Sequence, residues 1–161
     1  MRIGIISDTH GLLHPRVPDV FAGVDHILHA GDVGGAHVLE ALREIAPVTA
    51  VAGNNDDADG YEIARFGDIV VTHILPRPSK PGKHVLDALK RKKADLVVFG
   101  HSHLPHNEVR DGIRFFNPAS AGPRRFDYPV SVGILEDGRA YHVALDERSV
   151  GALRKRMNQM R

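Results

Sequence analysis

Short apolar runs recur along the first two thirds of the chain, and each of them ends in or is directly followed by Asp, Asn or His. The runs are rich in β-branched residues and are bounded by polar ones, which is typical of buried strands. We therefore expect five strands whose carboxyl ends all carry polar side chains. The five runs span residues 2–7, 24–32, 47–56, 68–73 and 94–103.

Apolar residues recur at helical spacing between these runs. Residues 35–46 and 82–93 each place several apolar side chains on one face, which predicts two amphipathic helices. The second of them ends in a cationic turn, as suits a helix C-terminus, and a weaker helix is predicted near residues 17–23. Strands that alternate with helices indicate an α/β fold with parallel strands.

The last third of the chain reads as consecutive strands, at residues 112–117, 129–138 and 139–145, followed by a helix over 146–161. The Glu-Asp-Gly sequence between the last two strands favours a hairpin turn. No linker, repeat or low-complexity segment interrupts the 161 residues, of which 42% are hydrophobic. We therefore expect residues 1–161 to form a single domain.

Composition narrows the classes of partner and the cellular location. The formal net charge is +1, so electrostatic attraction to nucleic acid or to an acidic membrane is not expected. The chain has no cysteine, which excludes disulfides and thiolate metal sites and fits a reducing compartment. The start, MRIGIISDTHG, turns polar within eight residues, and no signal-peptide core or long apolar span follows. We expect a soluble, cytoplasmic protein.

Polar side chains at the strand ends form the most informative pattern in the sequence. Ligands of open parallel sheets bind outside the carboxyl ends of the strands, so these side chains are expected to converge on one crevice. Residues two apart in an extended segment point to the same side, so each such pair is expected to share a target. The candidate donors are Asp8, His10, Asp32, Asn54, His73, His101 and His103.

The types of donor indicate a metal centre. Carboxylate, amide and imidazole groups without sulfur suit Mn²⁺, Fe, Zn²⁺ or Mg²⁺, and imidazole shifts the balance away from Mg²⁺. Seven donors exceed the needs of one catalytic ion and suit two ions that share a carboxylate. Two ions about 3.5–4 Å apart are the usual apparatus for hydrolysing phosphate esters. Each motif taken singly also fits a turn or a cap; their joint occurrence, in order after strand-like runs, favours the metal centre.

The motifs resemble, in type and in order, those of the calcineurin-like metallophosphoesterase superfamily. The resemblance spans residue 3 to about residue 145, and the small size is most similar to the compact phosphodiesterase branch, which is related in fold to the retromer subunit. The element Asn-Pro-Ala-Ser at 117–120 resembles the family's Asn-Pro-Gly-Ser. The other matching elements are DTHG (8–11), GD (31–32), GNND (53–56), His73 and GHSH (100–103).

The resemblance implies a fold and a ligand set. The fold is an α/β two-sheet β-sandwich flanked by helices, in four αββα layers. Two divalent metal ions per chain are implied, with Mn²⁺ favoured over Fe, Zn²⁺, Ni²⁺ and Mg²⁺. The first ion would be bound by Asp8, His10 and His103, the second by Asn54, His73 and His101, and Asp32 would bridge the two.

The implied activity is that of a phosphodiesterase, in which a metal-bridging hydroxide attacks phosphorus in line. The substrate would be a small phosphodiester or nucleotide, and Asn54, Asn55 and Asp56 are the candidate catalytic residues. Asp56 fits a supporting or a turn role equally well. Two alternatives remain: a catalytically weak protein-interaction scaffold of the same fold, and a phosphomonoesterase or nucleotide pyrophosphohydrolase. Short apolar strands also make a homodimer plausible.

Three positions depart from the family pattern. Many members have His, proposed to protonate the leaving group, where this chain has Asn55. Asn cannot act as an acid, although it can hydrogen-bond a phosphoryl oxygen, so poor leaving groups are expected to be handled less well. Members usually have Gly where this chain has Ile74, and Ala119 replaces the Gly of Asn-Pro-Gly-Ser.

Two adjacent arginines and one asparagine lie close to the motifs. Arg124 and Arg125 are candidates for contacting a substrate phosphate, with a solvated basic pair as the favoured interpretation. Asn117 is expected either to orient a group at the metal centre or to form a turn before Pro118.

Overall fold

The computed structural model describes residues 1–160 and contains two mixed five-stranded sheets. In the first sheet, β1, β2 and β3 run parallel, and two antiparallel strands complete the order β10-β9-β1-β2-β3. These strands are β1 (Arg2–Ile6), β2 (His26–His29), β3 (Val48–Ala50), β9 (Ser131–Glu136) and β10 (Arg139–Ala144).

The second sheet has the order β4-β5-β6-β8-β7, in which β5, β6 and β8 are parallel and the two edge strands are antiparallel to their neighbours. Its strands are β4 (Ala64–Phe66), β5 (Ile69–Val71), β6 (Leu96–Val98), β7 (His106–Arg110) and β8 (Ile113–Asn117).

Helices connect the strands and cover the sheets. They are α1 (Val17–Val20), α2 (Ala36–Arg43), α3 (Lys83–Arg91) and α4 (Glu147–Gln159). The predicted helix at 17–23 is a single turn, and α4 begins after Asp146, whose carboxylate accepts a hydrogen bond from the Ser149 amide at 2.8 Å. Arg161, the end of the predicted last helix, lies outside the described residues. Within residues 1–160, no helix is both long and apolar enough to cross a bilayer.

Alternating side chains of the strands divide the core into separate layers. On β1, Ile5 packs between the two sheets, whereas Ile6 packs on the outer face against α1 and α2. On β5, Val71 faces the space between the sheets and Val70 faces the α3 side. Because both faces of the central strands β5 and β6 are buried, these strands are apolar throughout, as buried parallel strands are. The predicted two-sheet β-sandwich flanked by helices is confirmed.

Two features of the fold differ from the prediction that rested on periodicity. The donor-bearing strands belong to two sheets rather than to one parallel sheet: β1, β2 and β3 to the first, β5 and β6 to the second. The edge strands β4 and β7 were not predicted, because their sequences ARF and HNEVR are short and polar. Edge strands are commonly short and charged, which limits pairing with other chains.

Candidate metal centre

The predicted donors all lie in loops that follow strand ends at one end of the sandwich. Asp8 and His10 follow β1, and Asp32 follows β2. Backbone hydrogen bonds join these loops: the Asp8 amide donates to Gly31 at 2.9 Å, and the Gly100 amide donates to His73 at 3.0 Å. The second bond joins the segments that follow β5 and β6. The fold therefore brings together residues from the whole first two thirds of the chain.

Burial divides these side chains into a floor and an opening. The floor is fully or almost fully buried, whereas the opening is accessible to a ligand from solvent. The floor consists of Asp8, Asp32, His73 and His103, and the opening is lined by His10, Asn54, Asn55 and His101.

Asp8 has one carboxylate oxygen that is satisfied and one that is not. Its Oδ2 accepts hydrogen bonds from the Ser7 hydroxyl at 2.7 Å and from the His101 amide at 3.1 Å. Its Oδ1 is buried and accepts no hydrogen bond from any group of residues 1–160. The Nε2 atoms of His103 and His10 lie 3.3 and 4.0 Å from this Oδ1. A buried carboxylate oxygen without a donor is costly unless a cation completes it.

Asp32 lies between two groups of donors. Its Oδ2 is 3.3 Å from His73 Nε2 and 3.8 Å from His10 Nε2. Asn55 fixes this carboxylate, since its backbone amide donates to Oδ1 at 2.9 Å and its side-chain amide donates to Oδ2 at 2.8 Å. The position of Asp32 is therefore that of a carboxylate shared by both groups.

Asn54, His73 and His101 form the second group. The amide oxygen of Asn54 is 2.9 Å from His73 Nε2 and 3.0 Å from His101 Nδ1. His73 Nδ1 lies 2.7 Å from the carbonyl oxygen of Ala30, which can only accept, so Nδ1 carries the proton. In the neutral ring, Nε2 then directs a lone pair at the oxygens of Asn54 and Asp32. A carbonyl that holds one ring nitrogen protonated leaves the other free as a ligand, which is the usual arrangement of metal-binding histidines.

The backbone is strained at most of these residues. Asp8, His10, Asp32, His101 and His103, five of the seven candidates, have φ between 47° and 68°. This left-handed region is uncommon for residues other than Gly, and strained residues cluster at functional sites.

This strain also corrects a step of the sequence argument. Pairs two residues apart were expected to share a target because their segments were taken as extended, and here they lie in turns. Asp8 and His10 do face one group, but His101 and His103 divide between two: His103 approaches Asp8, and His101 approaches Asn54.

Glycines allow the loops to pack closely around the carboxylates. A Cβ added at Gly100 would overlap the Ser7 hydroxyl and lie 2.7 Å from Asp8 Oδ2. One added at Gly31, where φ is +91°, would lie 2.7 Å from His73 Nδ1. Substituting either glycine would therefore displace a candidate donor.

The environment sets the charge states of these groups. Burial by itself would raise the pKa of Asp8, but the neighbouring His103 and His73 imidazoles and the Ser7 hydroxyl hold it below its ordinary value. Burial lowers the pKa of His10, and the charges of His103 and Arg125 lower it further, against the opposing effect of Asp8 and Asp32. Ionised carboxylates and neutral imidazoles are the forms that bind metal.

His29 and Thr9 support the site and were not predicted from the sequence. His29 is fully buried, and burial lowers its pKa to about 4, so it is neutral. Its Nδ1 accepts from the Gly31 amide at 3.2 Å, and its Nε2 is 2.9 Å from Thr9 Oγ1, which donates to Val33 at 2.8 Å. This chain joins the β1 and β2 loops. The sequence signal that could have indicated His29 is a polar residue inside an otherwise apolar run.

Asn117 holds the loop that carries His101 and His103. Its side-chain amide donates to the Gly100 carbonyl at 2.9 Å and to Ser102 Oγ at 3.2 Å. Its amide oxygen accepts from the Ala119 amide at 2.9 Å, which shapes a turn in which Ala119 has φ +69°. The turn role expected from the sequence is therefore present, and the positive φ explains why Gly suits position 119.

Ile74 is accommodated by a glycine of another loop. Its amide donates to the Gly60 carbonyl at 3.0 Å. A Cβ added at Gly60 would lie 2.7 Å from Ile74 Cδ1, so the side chain occupies the space that Gly60 leaves open. The larger residue after His73 is thus matched by a small one at position 60.

Asp56 joins the two loops that follow β2 and β3. Its carboxylate accepts hydrogen bonds from the amides of Val33, Gly34 and Gly53, each at 2.9 Å. Burial tends to raise its pKa, and these three donors hold it below the ordinary value of 3.8. With both oxygens occupied by the backbone, Asp56 fits a positioning role better than contact with substrate.

We expect Asp56→Asn to lower the free energy of unfolding by about 1–3 kcal/mol, because an amide nitrogen cannot accept hydrogen bonds from the backbone N–H groups that now bind the carboxylate. Asp57→Asn makes the same chemical change at the next, exposed residue and should change stability by less than about 0.5 kcal/mol. Urea denaturation in chelator measures both. A carboxylate whose pKa is depressed in the folded protein stabilises the fold at pH values above its unfolded-state pKa. This stabilisation is lost as the pH falls through the folded-state pKa. The difference between wild type and Asp56→Asn should therefore shrink below about pH 4; a constant difference would contradict the role.

The donor set fits divalent cations. Two triads, Asp8–His10–His103 and Asp8–Asp32–His73, each place one ligand atom per residue within 4.8 Å of the others. His73 Nε2 lies 4.0 Å from the unpartnered Oδ1 of Asp8. Carboxylate and imidazole without sulfur are the donors that Mn²⁺, Fe and Zn²⁺ accept.

Comparison with known proteins identifies the family. The profile of the calcineurin-like phosphoesterase superfamily domain matches residues 1–138. The chain belongs to this superfamily. It is 36% identical to a probable metallophosphoesterase of Methanocaldococcus jannaschii, over 74% of this chain and 68% of that protein. It is 30% identical to the phosphodiesterase YfcE of Escherichia coli, over 93% of this chain and 95% of YfcE.

Solved structures support the same assignment. The structure of YfcE matches with a TM-score of 0.68 and 27% identity, covering 92% of this chain and 96% of YfcE. Vps29 of Chaetomium thermophilum matches with a TM-score of 0.70 and 17% identity, covering 93% of this chain and 91% of that chain, and shares the fold. The predicted superfamily and its compact branch are confirmed.

Proposed function

We propose that this metallophosphoesterase is a phosphodiesterase that works with two divalent ions. Asp8, His10 and His103 would hold one ion and Asn54, His73 and His101 the other, with Asp32 shared, and Mn²⁺ is the favoured metal. The observation that carries the proposal is the buried, unpartnered Oδ1 of Asp8 facing imidazole nitrogens from three loops. The single domain proposed for residues 1–161 would hold the whole site.

Bound divalent ions would lower the pKa of water and offset the charge of a phosphoryl group. The chain's own residues hold the candidate ligands in position. Asn55 keeps Asp32 in place with one side-chain N–H, and its second N–H is available to donate to a phosphoryl oxygen. Because Asn55 is exposed beside the buried floor, a substrate can reach it from solvent. No acid stands at position 55, so activated leaving groups should react best.

The diesterase is favoured over its alternatives by two observations. YfcE, which aligns over nearly its whole length, is named a phosphodiesterase. A scaffold of this fold needs no competent donors, whereas all seven candidate positions carry carboxylate, amide or imidazole groups. Vps29 supports only the shared fold, at 17% identity.

A substrate screen tests the proposal. Protein purified without chelator would be assayed with Mn²⁺, Zn²⁺ or Mg²⁺ against bis(p-nitrophenyl) phosphate, p-nitrophenyl phosphate and a set of nucleotides. We expect the diester to be cleaved with at least about tenfold higher kcat/KM than the monoester, a difference of about 1.4 kcal/mol in activation free energy. Faster monoester cleavage would favour the phosphomonoesterase, and no turnover with any metal would favour the scaffold.

A further inference from the structure

A groove of about 560 Å³ lies beside the candidate metal centre, between the start of α2 and the loop that follows β3. Val33, Ala36, Leu39 and Val51 give it apolar walls, and Asn55 lines it as well. Ligand pockets of proteins commonly have volumes of about 300–1,000 Å³ and mostly apolar walls. The groove is therefore large enough to hold an organic group of a substrate.

Asn55 belongs both to this groove and to the opening of the candidate metal centre. Its side-chain amide donates at 2.8 Å to Asp32 Oδ2, the oxygen that lies 3.3 Å from His73 Nε2 and 3.8 Å from His10 Nε2. The groove and the shared carboxylate of Asp32 are thus in contact with the same side chain. A phosphate that Asn55 contacts would have the groove directly beside it.

A second wall of the groove lies against the loop that carries His10. Gly34 lines the groove, and a Cβ added at Gly34 would lie 2.8 Å from His10 Cα. His37, the second residue of α2, lies with its Nε2 2.7 Å from the Gly11 carbonyl oxygen. Because a carbonyl oxygen only accepts, this Nε2 donates, and the bond fixes the start of α2 next to the loop. The groove therefore borders the candidate metal centre through both Asn55 and Gly34.

The charged residues that line the groove are acidic. They are Asp56 and Asp57, and within residues 1–160 no lysine, arginine or histidine lines it. Asp56 is occupied by three backbone amides, whereas Asp57 is exposed. An anionic group, such as a second phosphoryl group, would meet these carboxylates without a compensating positive charge. An uncharged group would instead bury apolar surface against Val33 and Leu39.

We propose that this groove binds one uncharged, mainly apolar ester group of a phosphodiester while the phosphate lies at the candidate metal centre. The inference rests on the phosphodiesterase proposed above and names its substrate class, a diester with an organic group such as an aryl ring rather than a second phosphoryl group. Because the group stays in the groove from binding through reaction, blocking the groove should raise KM more than it lowers kcat.

Calorimetry with phosphonates tests the groove in the unmodified protein. Methylphosphonate and phenylphosphonate present the same anionic head, differ in the organic group and have no ester bond to hydrolyse. With Mn²⁺-loaded protein, we expect phenylphosphonate to bind about tenfold more tightly, as burial of about 55 Å² of apolar surface predicts. 4-Phosphonobenzoate, which adds a carboxylate to the ring, should lose this advantage. Equal affinities for the methyl and phenyl compounds, or a benzoate that binds as tightly as phenylphosphonate, would overturn the assignment.

Two variants provide a second readout. Ala36→Trp fills the groove from the exposed first residue of α2, and Ala22→Trp makes the same change at an exposed residue after α1. Ala36→Trp should lose the preference for phenylphosphonate and keep its affinity for methylphosphonate. For bis(p-nitrophenyl) phosphate with Mn²⁺, it should raise KM about tenfold with kcat within about twofold. Ala22→Trp should match wild type in each measurement.

The outcomes separate the groove from the proposed activity. An unchanged KM in Ala36→Trp, or an equal loss of affinity for both phosphonates, would overturn the assignment of the groove. An inactive wild type would instead overturn the proposed phosphodiesterase. The phosphonate comparison in wild type requires neither turnover nor a variant, so it tests the groove even if Ala36→Trp does not fold.

Discussion

Replacing Asp8 with Asn is expected to lower kcat/KM for bis(p-nitrophenyl) phosphate by about a thousandfold or more, which corresponds to about 4 kcal/mol of transition-state stabilisation. Asp8 contributes to both acidic triads, and its Oδ1 is the buried oxygen that lacks a donor. An amide is nearly the same size but carries no charge, so the change removes the anion that a divalent ion needs. Steady-state kinetics with Mn²⁺ measures the effect.

The same substitution also tests the metal-free fold. The neighbouring His103 and His73 imidazoles and the Ser7 hydroxyl hold the pKa of Asp8 below its ordinary value, so the ionised carboxylate stabilises the fold at neutral pH. Asp8→Asn in chelator should therefore have a lower melting temperature than wild type while remaining folded at the assay temperature. Asp19→Asn makes the same change at an exposed residue of α1 and should retain wild-type activity. Near-normal turnover by Asp8→Asn would contradict the proposed site. Loss of activity together with unfolding at the assay temperature would show that Asp8 acts in folding instead.

The candidate donors could be proposed from the sequence, whereas the network that holds them could not. Asp8, Asp32 and His73 could be found because each directly follows an apolar run, and that signal is local. His29 and Asn117 act through groups 20 and 17 residues away, Thr9 and Gly100. Contacts between loops that are far apart in the sequence produce no periodic pattern of residues. The residues that orient the candidate ligands therefore became apparent only in three dimensions.

The fold, like the site, could be predicted from the sequence only in part. Periodicity predicted the buried strands, because burial on both faces makes them apolar, but it implied one parallel sheet. The pairing into two sheets came from the family resemblance, since no local signal distinguishes β2 from β5. The adjacent Arg124 and Arg125 are a second case: the residue types are identical, and only the Asp146 carboxylate before α4 separates a structural arginine from an unpaired one.

The strained, electrostatically unsatisfied site has a thermodynamic consequence. Two features of the site destabilise the folded state, and the rest of the fold must compensate for them. They are the left-handed φ values at five candidate residues and the carboxylate oxygen of Asp8 that accepts no hydrogen bond. Ion binding to the folded chain alone would offset these costs and stabilise it in proportion to the logarithm of ion concentration. Metal content and melting temperature should therefore change together in variants of the site.

The two histidines of the Gly-His-Ser-His segment should bind different ions. His103 approaches Asp8 at 3.3 Å, and His101 approaches Asn54 at 3.0 Å. Wild type dialysed against low free Mn²⁺ should retain about two ions per chain, and His101→Ala or His103→Ala about one. Asp32→Asn should retain far less than one, because its carboxylate is close to His73 and His10, one from each group. Elemental analysis of the dialysed proteins measures this.

Combining the substitutions makes the test stricter. If the histidines serve separate ions, their losses of metal should add, so that the double variant His101→Ala/His103→Ala resembles Asp32→Asn in metal content and in melting temperature with Mn²⁺. If both served one ion, the second substitution would remove nothing further, and Asp32→Asn would match either single variant. His14→Ala is the matched control and should retain both ions, because within residues 1–160 the one hydrogen bond of the His14 ring is from the nearby Arg16 amide. The Asp32 result is decisive, because only a carboxylate shared between ions makes one substitution equivalent to two.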